Sequence, residues 1–215
     1  ADNMPVMARL RDEACEALAQ FEATMGRSVG FHRSGSLKAA YTEAGEARLH
    51  QGLDTAKKLD IEAELVSAAQ AEGLAPHFKP GRARAIGYVP SDGWLDPAKV
   101  ASGFIARAAE LGARLMPFTP ARELLQKDGR VVGVATPGGD IRAPVVVDAA
   151  GAWTARVAAA AGIALPLVPV RHQLFITEPI PGVEPLQPVV RLLEASVYVR
   201  HEQGGLLFGG YEDRP

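Results

Sequence analysis

The sequence predicts an α+β protein in which a large, mostly antiparallel sheet carries helices on one face. Its 215 residues, 47% hydrophobic and 22% charged, are typical of a folded globular chain. Short apolar runs separated by polar or Gly-rich turns recur along the sequence, which is the pattern of antiparallel strands. Amphipathic helix patterns lie between them. One apolar run ends in small residues where a helix begins, and this predicts a second, smaller region.

Helices are predicted from the spacing of apolar residues and from end signals. In the first helix, Met7, Leu10 and Ala14 recur at intervals of three and four residues. Before the fourth, Asp96 can cap free backbone amides and Pro97 suits the first helical turn. The predicted spans are Met4–Met25, Glu43–Leu59, a short helix from the N-cap Ser67 to Gly73, Pro97–Leu111 and Ala152–Ala161.

Strands are predicted from alternation between turn signals. Between Val29 and Tyr41, alternation with a Ser-Gly break predicts two short strands or one kinked strand. The segment Pro76–Pro90 holds three prolines and two glycines, and irregular structure is expected there. The other predicted strands or extended segments are Glu64–Val66, Arg114–Phe118, Glu123–Gln126, Val131–Thr136, Val145–Asp148, Pro166–Thr177, Val189–Leu193, Ser196–His201 and Leu206–Gly210.

Composition argues against several classes of partner. The formal net charge is -2 with both signs interspersed, so the basic surface that nucleic acid requires is not expected. The single cysteine, Cys15, has neither a disulfide partner nor a CxxC neighbour, and no metal site is expected. No apolar run approaches the roughly 18 residues of a membrane span. A bacterial cytoplasm is the expected location, and a mitochondrial matrix stays open as an alternative.

The run Val145–Trp153 changes from an apolar strand pattern to small residues where a helix begins. Small side chains at the carboxyl end of a strand let the backbone approach a ligand, and the amides that follow favour a phosphate. Tight packing between a strand and a helix explains the same residues without any ligand.

The order of these segments resembles the D-amino-acid-oxidase-like family of flavoproteins, and the resemblance covers nearly the whole chain. Its general motifs are Asp92-Gly93, Asp96-Pro97, Gly112-Ala113, Gly129-Arg130-Val131 and Ala149 to Trp153. Within that family the chain is most similar to the dimethylglycine and sarcosine dehydrogenase branch. That likeness depends on Arg33-x-Gly35-Ser36-Leu37, Arg171-His172-Gln173, Tyr198-Val199-Arg200 and Gly209-Gly210-Tyr211-Glu212.

The resemblance implies an interior fragment of an FAD-dependent enzyme that oxidises the N-methyl carbon of dimethylglycine or sarcosine. Its partners would be a small amino-acid substrate and, as a candidate, an electron-acceptor protein. Two alternatives stay open: another member of the family, such as a glycine oxidase or sarcosine oxidase, and a non-catalytic domain that binds a small carboxylate.

The resemblance also implies roles for individual residues. His172 and Tyr198 match positions that line the substrate pocket, and they are the predicted catalytic residues. Imidazole can accept the proton of a substrate ammonium group, and a phenol hydroxyl can bind its carboxylate or amine. Arg200 is the predicted partner of the substrate carboxylate. Without a family match, a strand histidine or tyrosine more often packs or faces solvent, and Arg200 can equally serve the sheet surface.

The predicted FAD contacts are Ala121, Ala150, Gly151 and Trp153. The sequence contains no GxGxxG motif, which in this family holds the pyrophosphate of the cofactor. The 215-residue chain is therefore expected to bind FAD weakly or not at all, and to be inactive by itself. The expected organisation is a connecting helix (1–30), a first part of the substrate domain (31–94), a partial Rossmann-like FAD-binding domain with a meander (95–165), and a second part of the substrate domain (166–215).

Overall fold

The computed structural model describes residues 5–26, 28 and 30–211. The described chain divides into two compact units. The sheet unit contains the described residues up to Leu111 and from His172 onward, and the meander unit is Gly112–Arg171. The predicted domain boundaries stay predictions. Three predicted features reach outside the described residues: the helix start at Met4, the strand start at Val29 and the motif end at Glu212.

The sheet unit is built around one seven-stranded sheet and a separate two-stranded ribbon. The strands of this unit are β1 (Phe31–His32), β2 (Ser36–Ala40), β3 (Glu64–Leu65), β4 (Ala85–Val89), β5 (Trp94–Leu95), β9 (Leu174–Ile176), β10 (Val189–Leu192), β11 (Val197–Glu202) and β12 (Gly205–Gly210). The strand order in the sheet is β3-β4-β2-β10-β11-β12-β9, and the ribbon pairs β1 with β5. Five of the six neighbouring strand pairs of the sheet are antiparallel, and only β2 and β10 run parallel.

The helices of the sheet unit begin where the sequence offers caps. They are α1 (Pro5–Met25), α2 (Glu43–Lys58), α3 (Ala68–Leu74) and α4 (Pro97–Glu110). Asp96 accepts hydrogen bonds from the amides of Ala98 and Lys99 at the start of α4. Ser67 and Gln70 form a reciprocal capping box at the start of α3. The predicted helices and the Ser67 and Asp96 caps are confirmed, with ends that differ by a residue or two.

The hydrophobic core defines the two faces of the sheet. Leu37, Ile86 and Val190 are buried on one face, where they pack with Ala71 and Ala75 at α3. Because side chains alternate along a strand, the neighbours of these core residues point to the opposite face. We call this opposite face the site face. Near β4, α2 covers the site face, since Leu49 of that helix lies against Gly87.

The meander unit contains three antiparallel strands followed by a short helix. Its strands are β6 (Glu123–Lys127), β7 (Arg130–Thr136) and β8 (Gly139–Arg142), in that order. A 3-10 turn at Gly151–Trp153 precedes α5 (Thr154–Ala159). Asp148 closes this turn, because its carboxylate accepts hydrogen bonds from the Ala150 amide and the Thr154 hydroxyl.

The α+β class and the mostly antiparallel sheet are confirmed, but the structure differs from the local predictions in five segments. Pro76–Pro90 is not irregular throughout, because it contains β4, which pairs with β2 and β3. The three prolines of the segment lie outside this strand. Arg114–Phe118 and Val145–Asp148 are not strands, and Val145 and Val147 are 73% and 80% exposed. No strand is predicted at Gly139–Arg142, but this segment is a strand of the meander. Only Leu174–Ile176 of the extended segment Pro166–Thr177 pairs in the sheet.

One feature of the layer arrangement also differs from the prediction. Helices lie on both faces of the sheet, since α3 packs on the Leu37 side and α2 on the Gly87 side. Tertiary packing decides which face each helix covers, because both faces of β2 and β4 carry small or apolar residues against which a helix can pack. Among the helices that the structure describes, none has the length and apolar character needed to cross a bilayer.

Glu194 ties the turn after β10 to the start of α2. Its carboxylate accepts hydrogen bonds from the Tyr41 amide (2.9 Å) and from the amide and hydroxyl of Thr42 (both 3.0 Å). Burial of this carboxyl favours its neutral form, but these hydrogen bonds outweigh burial, and its pKa is lowered. The ionised group therefore stabilises the helix start and the parallel pair of strands together.

Replacing Glu194 by Gln should lower the free energy of unfolding by about 1 kcal/mol at neutral pH, because a charged acceptor is lost at a partly exposed site. A lowered folded-state pKa means that this contribution is present above the unfolded-state pKa and is lost as the pH falls through the folded-state pKa. Urea unfolding of both proteins at several pH values measures the difference. Glu184→Gln is the matched control, and an equal effect of the two variants would contradict this role.

Candidate functional site

Three aromatic side chains meet on the site face at the β11–β12 end of the sheet. The ring of His172 lies edge-on to the ring of Tyr211, with 5.1 Å between centroids and 75° between planes. The ring of Tyr198 lies 6.1 Å from the same Tyr211 ring. Tyr211 follows β12, and its amide donates a hydrogen bond to the carbonyl of Ser196 just before β11. The structure thus brings both predicted catalytic residues to one aromatic cluster, which we call the His172 cluster (His172, Tyr198 and Tyr211).

The position of the Tyr198 ring depends on Gly209. These residues are cross-strand partners in β11 and β12, and the ring lies over the backbone of the glycine. A Cβ atom at Gly209 would lie 2.5 Å from Cε1 of Tyr198 and would contact Cζ and the hydroxyl as well. The glycine therefore leaves the space in which the phenol packs against the backbone on the site face.

Arg200 is engaged by other residues of the protein. Its guanidinium forms an ion pair with Glu202 at 2.7 Å, and its side chain is 14% exposed. The same group donates to the carbonyl of His201 at 2.8 Å and lies 4.6 Å from the centre of the Trp94 ring. These contacts agree with the second role considered for Arg200, in which it serves the sheet surface and does not bind a carboxylate. Its role towards a substrate stays a prediction.

Trp94 organises a second cluster beside Arg200. The His32 ring stacks on the indole at 4.0 Å between centroids, and His201 lies 6.2 Å away. Burial, together with the nearby charge of Lys99, lowers the pKa of His32, so its neutral form is favoured for stacking. The indole Nε1 of Trp94 and Nδ1 of His201 are buried and have no hydrogen-bond partner among the described residues.

Two of the sequence motifs stabilise the entry to β2. The backbone of Gly35 has a φ of +79°, and a Cβ there would lie 2.7 Å from the Tyr88 ring. Ser36 is fully buried and donates its hydroxyl hydrogen to the Asp92 carboxylate at 2.7 Å. The Gly35-Ser36-Leu37 and Asp92-Gly93 motifs therefore hold the sheet and the Trp94 ribbon together.

A separate cavity of about 100 Å³ lies under α1 and α2 on the site face. Its wall includes Cys15, Lys38, Arg48, Leu49 and Asp92, and it contains no residue of the His172 cluster. Burial raises the pKa of the Cys15 thiol, and the charge of Asp92 adds to this effect. The thiol is therefore protonated at neutral pH and behaves as a small apolar group in the cavity wall.

The predicted FAD contacts lie in the meander unit. Ala121, Gly151 and Trp153 are exposed, and Trp153 is 64% exposed. Gly151 has a φ of +57°, and a Cβ added to it would have no atom within 4 Å, so its backbone is open to a close ligand. The Ala150 amide is already bonded to Asp148. The open backbone at Gly151 can be approached closely by a flat ligand, whereas the Ala150 amide is engaged by Asp148 and is not available to a phosphate. Contact of these residues with FAD stays a prediction.

Sequence reasoning missed two residues of these clusters. Tyr211 belonged to a quoted motif without a role, and no role was predicted for Trp94. Both depend on long-range geometry, since Tyr211 meets His172 across β9 and β12, and Trp94 meets Arg200 from a separate ribbon. A weak signal for Tyr211 existed in its place just after a strand, because binding and catalytic residues often lie on the loops that a rigid sheet positions.

Comparison with known proteins agrees with this fold and with these motifs. The whole chain, residues 1–215, matches the DAO model, described as FAD dependent oxidoreductase. Mitochondrial dimethylglycine dehydrogenase of Mus musculus is 32% identical over 209 residues, which are 96% of this chain and 24% of that protein. Mitochondrial sarcosine dehydrogenase of Homo sapiens is 32% identical over 201 residues, 91% of this chain and 22% of that protein. The chain thus spans about a quarter of the length of these relatives.

A solved structure shows the same fold. L-proline dehydrogenase from P. horikoshii superimposes with a TM-score of 0.85 at 24% identity, over 99% of this chain and 57% of that chain. The α+β arrangement with a partial Rossmann-like region is therefore that of flavin-dependent oxidoreductases. The chain belongs to the DAO family of FAD-dependent oxidoreductases.

Replacing Gly209 by Ala should displace the Tyr198 ring and lower the free energy of unfolding by about 1–3 kcal/mol, because the new methyl group overlaps the phenol. Chemical denaturation measures the loss, and the shifts of the Tyr198 ring protons report the displacement. Gly73→Ala is the control, since that exposed helical glycine has open space and a Cβ there should stabilise α3 slightly. Unchanged stability and ring shifts in Gly209→Ala would show that Tyr198 does not rest on the glycine.

Proposed function

We propose that this chain carries the substrate-binding part of an FAD-dependent oxidoreductase that oxidises the N-methyl carbon of dimethylglycine or sarcosine. The observation that carries the proposal is the meeting of His172 and Tyr198 on one face of the sheet through Tyr211. The names of the two relatives, a dimethylglycine and a sarcosine dehydrogenase, support this class of substrate. FAD, when bound, supplies the acceptor for the hydride.

The residues of the chain prepare the substrate for this oxidation. An amino acid carries an ammonium group at neutral pH, and only the neutral amine has the lone pair that assists departure of a hydride from its methyl carbon. An imidazole nitrogen of His172 is suited to take that ammonium proton, because a neutral imidazole offers one ring nitrogen as a proton acceptor. Loss of the hydride leaves an iminium ion, and water converts it into formaldehyde and the demethylated amine.

Tyr198 has a positioning role in this proposal. Its ring is held against Gly209, and its hydroxyl can donate a hydrogen bond to the substrate carboxylate or accept one from the ammonium group. The edge of Tyr211 against His172 limits the rotation of the imidazole ring, and the same Tyr211 ring lies 6.1 Å from the ring of Tyr198. The exposed apolar side chains of Leu174 and Ile176 on the edge strand β9 border the same face and can pack against a flat ring system.

The first test is a visible absorption spectrum of the protein after incubation with FAD and removal of the unbound cofactor. If the protein retains FAD, anaerobic addition of dimethylglycine or sarcosine should bleach the flavin band. His172→Gln should slow the bleaching by roughly 100-fold, the usual size of a lost proton transfer. Tyr198→Phe should slow it less, and His50→Gln, an exposed histidine on α2, should leave the rate unchanged.

The alternatives give different results in the same experiment. Bleaching by glycine, but by neither methylated glycine, would replace the proposal with a glycine oxidase function. A bound flavin that none of these amines bleaches would point to a non-catalytic domain that binds a small carboxylate. Failure of the 215-residue chain to retain FAD would agree with the lack of a GxGxxG motif in its sequence.

A further inference from the structure

Arg191 occupies a central position on the site face. It lies in β10, and its cross-strand partners are Tyr198 on one side and Lys38 on the other. The flanking residues Val190 and Leu192 contact the core, so Arg191 points to the opposite face together with Tyr198. Direct cross-strand neighbours have Cβ atoms about 5 Å apart, which places the guanidinium within reach of any ligand that contacts the phenol.

The guanidinium of Arg191 lacks a partner within the described part of the chain. It makes no hydrogen bond and no ion pair there, although the residue is half-buried in the middle of a seven-stranded sheet. The contrast with Arg200 is direct, since that guanidinium is bound by Glu202 and covered by Trp94. A half-buried cation without a counter-ion costs free energy, and an anionic ligand would remove that cost.

Lys38 lies next to Arg191 in the same row of side chains, but it is a weaker candidate for binding an anionic ligand. It lines the cavity under α1 and α2, and it has interactions of its own within the protein. Its ammonium group is also a point charge, whereas the planar fork of a guanidinium matches the two oxygens of a carboxylate.

We propose that Arg191 binds the carboxylate of the substrate and so selects amino acids over simple amines. In a glycine derivative, one carbon separates the carboxylate from the nitrogen. A carboxylate held by Arg191 therefore keeps the amine beside Tyr198, on the side of the sheet where His172 lies. The ion pair of Arg200 with Glu202 then serves to order β11. This inference rests on the proposed function, but carboxylate binding by Arg191 can be measured without it.

The test uses the 215-residue chain labelled with 15N-arginine. The Nε–Hε signal of Arg191, identified by its loss in Arg191→Lys, should shift on titration with acetate and with dimethylglycine but not with N,N-dimethylethylamine, which has no carboxylate. Arg191→Gln should weaken the affinity for both carboxylates by roughly 10- to 100-fold, the effect of a lost hydrogen bond to a charged group. Arg142→Gln, a strand arginine of the meander unit, is the matched control and should not change it.

A second readout separates this inference from the proposed function. In the FAD-retaining protein, Arg191→Gln should raise KM for dimethylglycine far more than it lowers kcat, because it removes binding rather than a proton transfer. A carboxylate that shifts the Arg191 signal, in a protein whose FAD is not bleached, would support carboxylate binding by Arg191 and contradict the proposed oxidation. An Arg191 signal that does not move, or equal affinities of Arg191→Gln and the unchanged chain, would overturn the inference even if dimethylglycine bleaches the flavin.

Discussion

The parallel pairing of β2 with β10 is the contact on which the sheet unit depends. It joins a strand near the start of the chain to one near its end, across the whole meander unit, and the other strands of the sheet extend outward from these two. Two side chains secure it from either end. Ser36 is bound by Asp92 at the start of β2, and Glu194 binds the start of α2 just after β10. Non-local pairing of this kind gains stability only after a long loop has closed, so such polar anchors matter.

The register of that pairing also decides what the site face contains. With Val190 opposite Leu37 and Val199, three apolar side chains enter the core together. The same alternation sends Arg191 and Tyr198 to the other face as neighbours. A shift of one residue would bury the arginine and the phenol and expose the valines, which the core could not tolerate. The chemistry of the site face is thus specified by the apolar residues that lie behind it.

Glycines and aromatic rings shape the same surface. Gly209 makes room for the ring of Tyr198, and Gly35 makes room for Tyr88 at the other end of the sheet. Tyr211 connects Tyr198 to His172, although these two residues lie on strands or segments that are not sequence neighbours. The motifs that mark the family therefore combine residues that could touch a substrate with residues that hold β-strands at the right separation. Gly35, Ser36 and Gly93 belong to the second group.

The sequence alone determined the local elements and the family. Caps at Ser67 and Asp96, helix periodicity and the paired strands near the C-terminus are local signals, and the motifs around His172 and Tyr198 indicated a flavin-dependent oxidoreductase. Only the tertiary structure decided that β4 is a strand, that Val145–Asp148 is not, and that Arg191 rather than Arg200 has an unengaged guanidinium among the described residues. The physical reason is that strand pairing and ion pairing join residues far apart in the chain, and no local pattern records which partners meet.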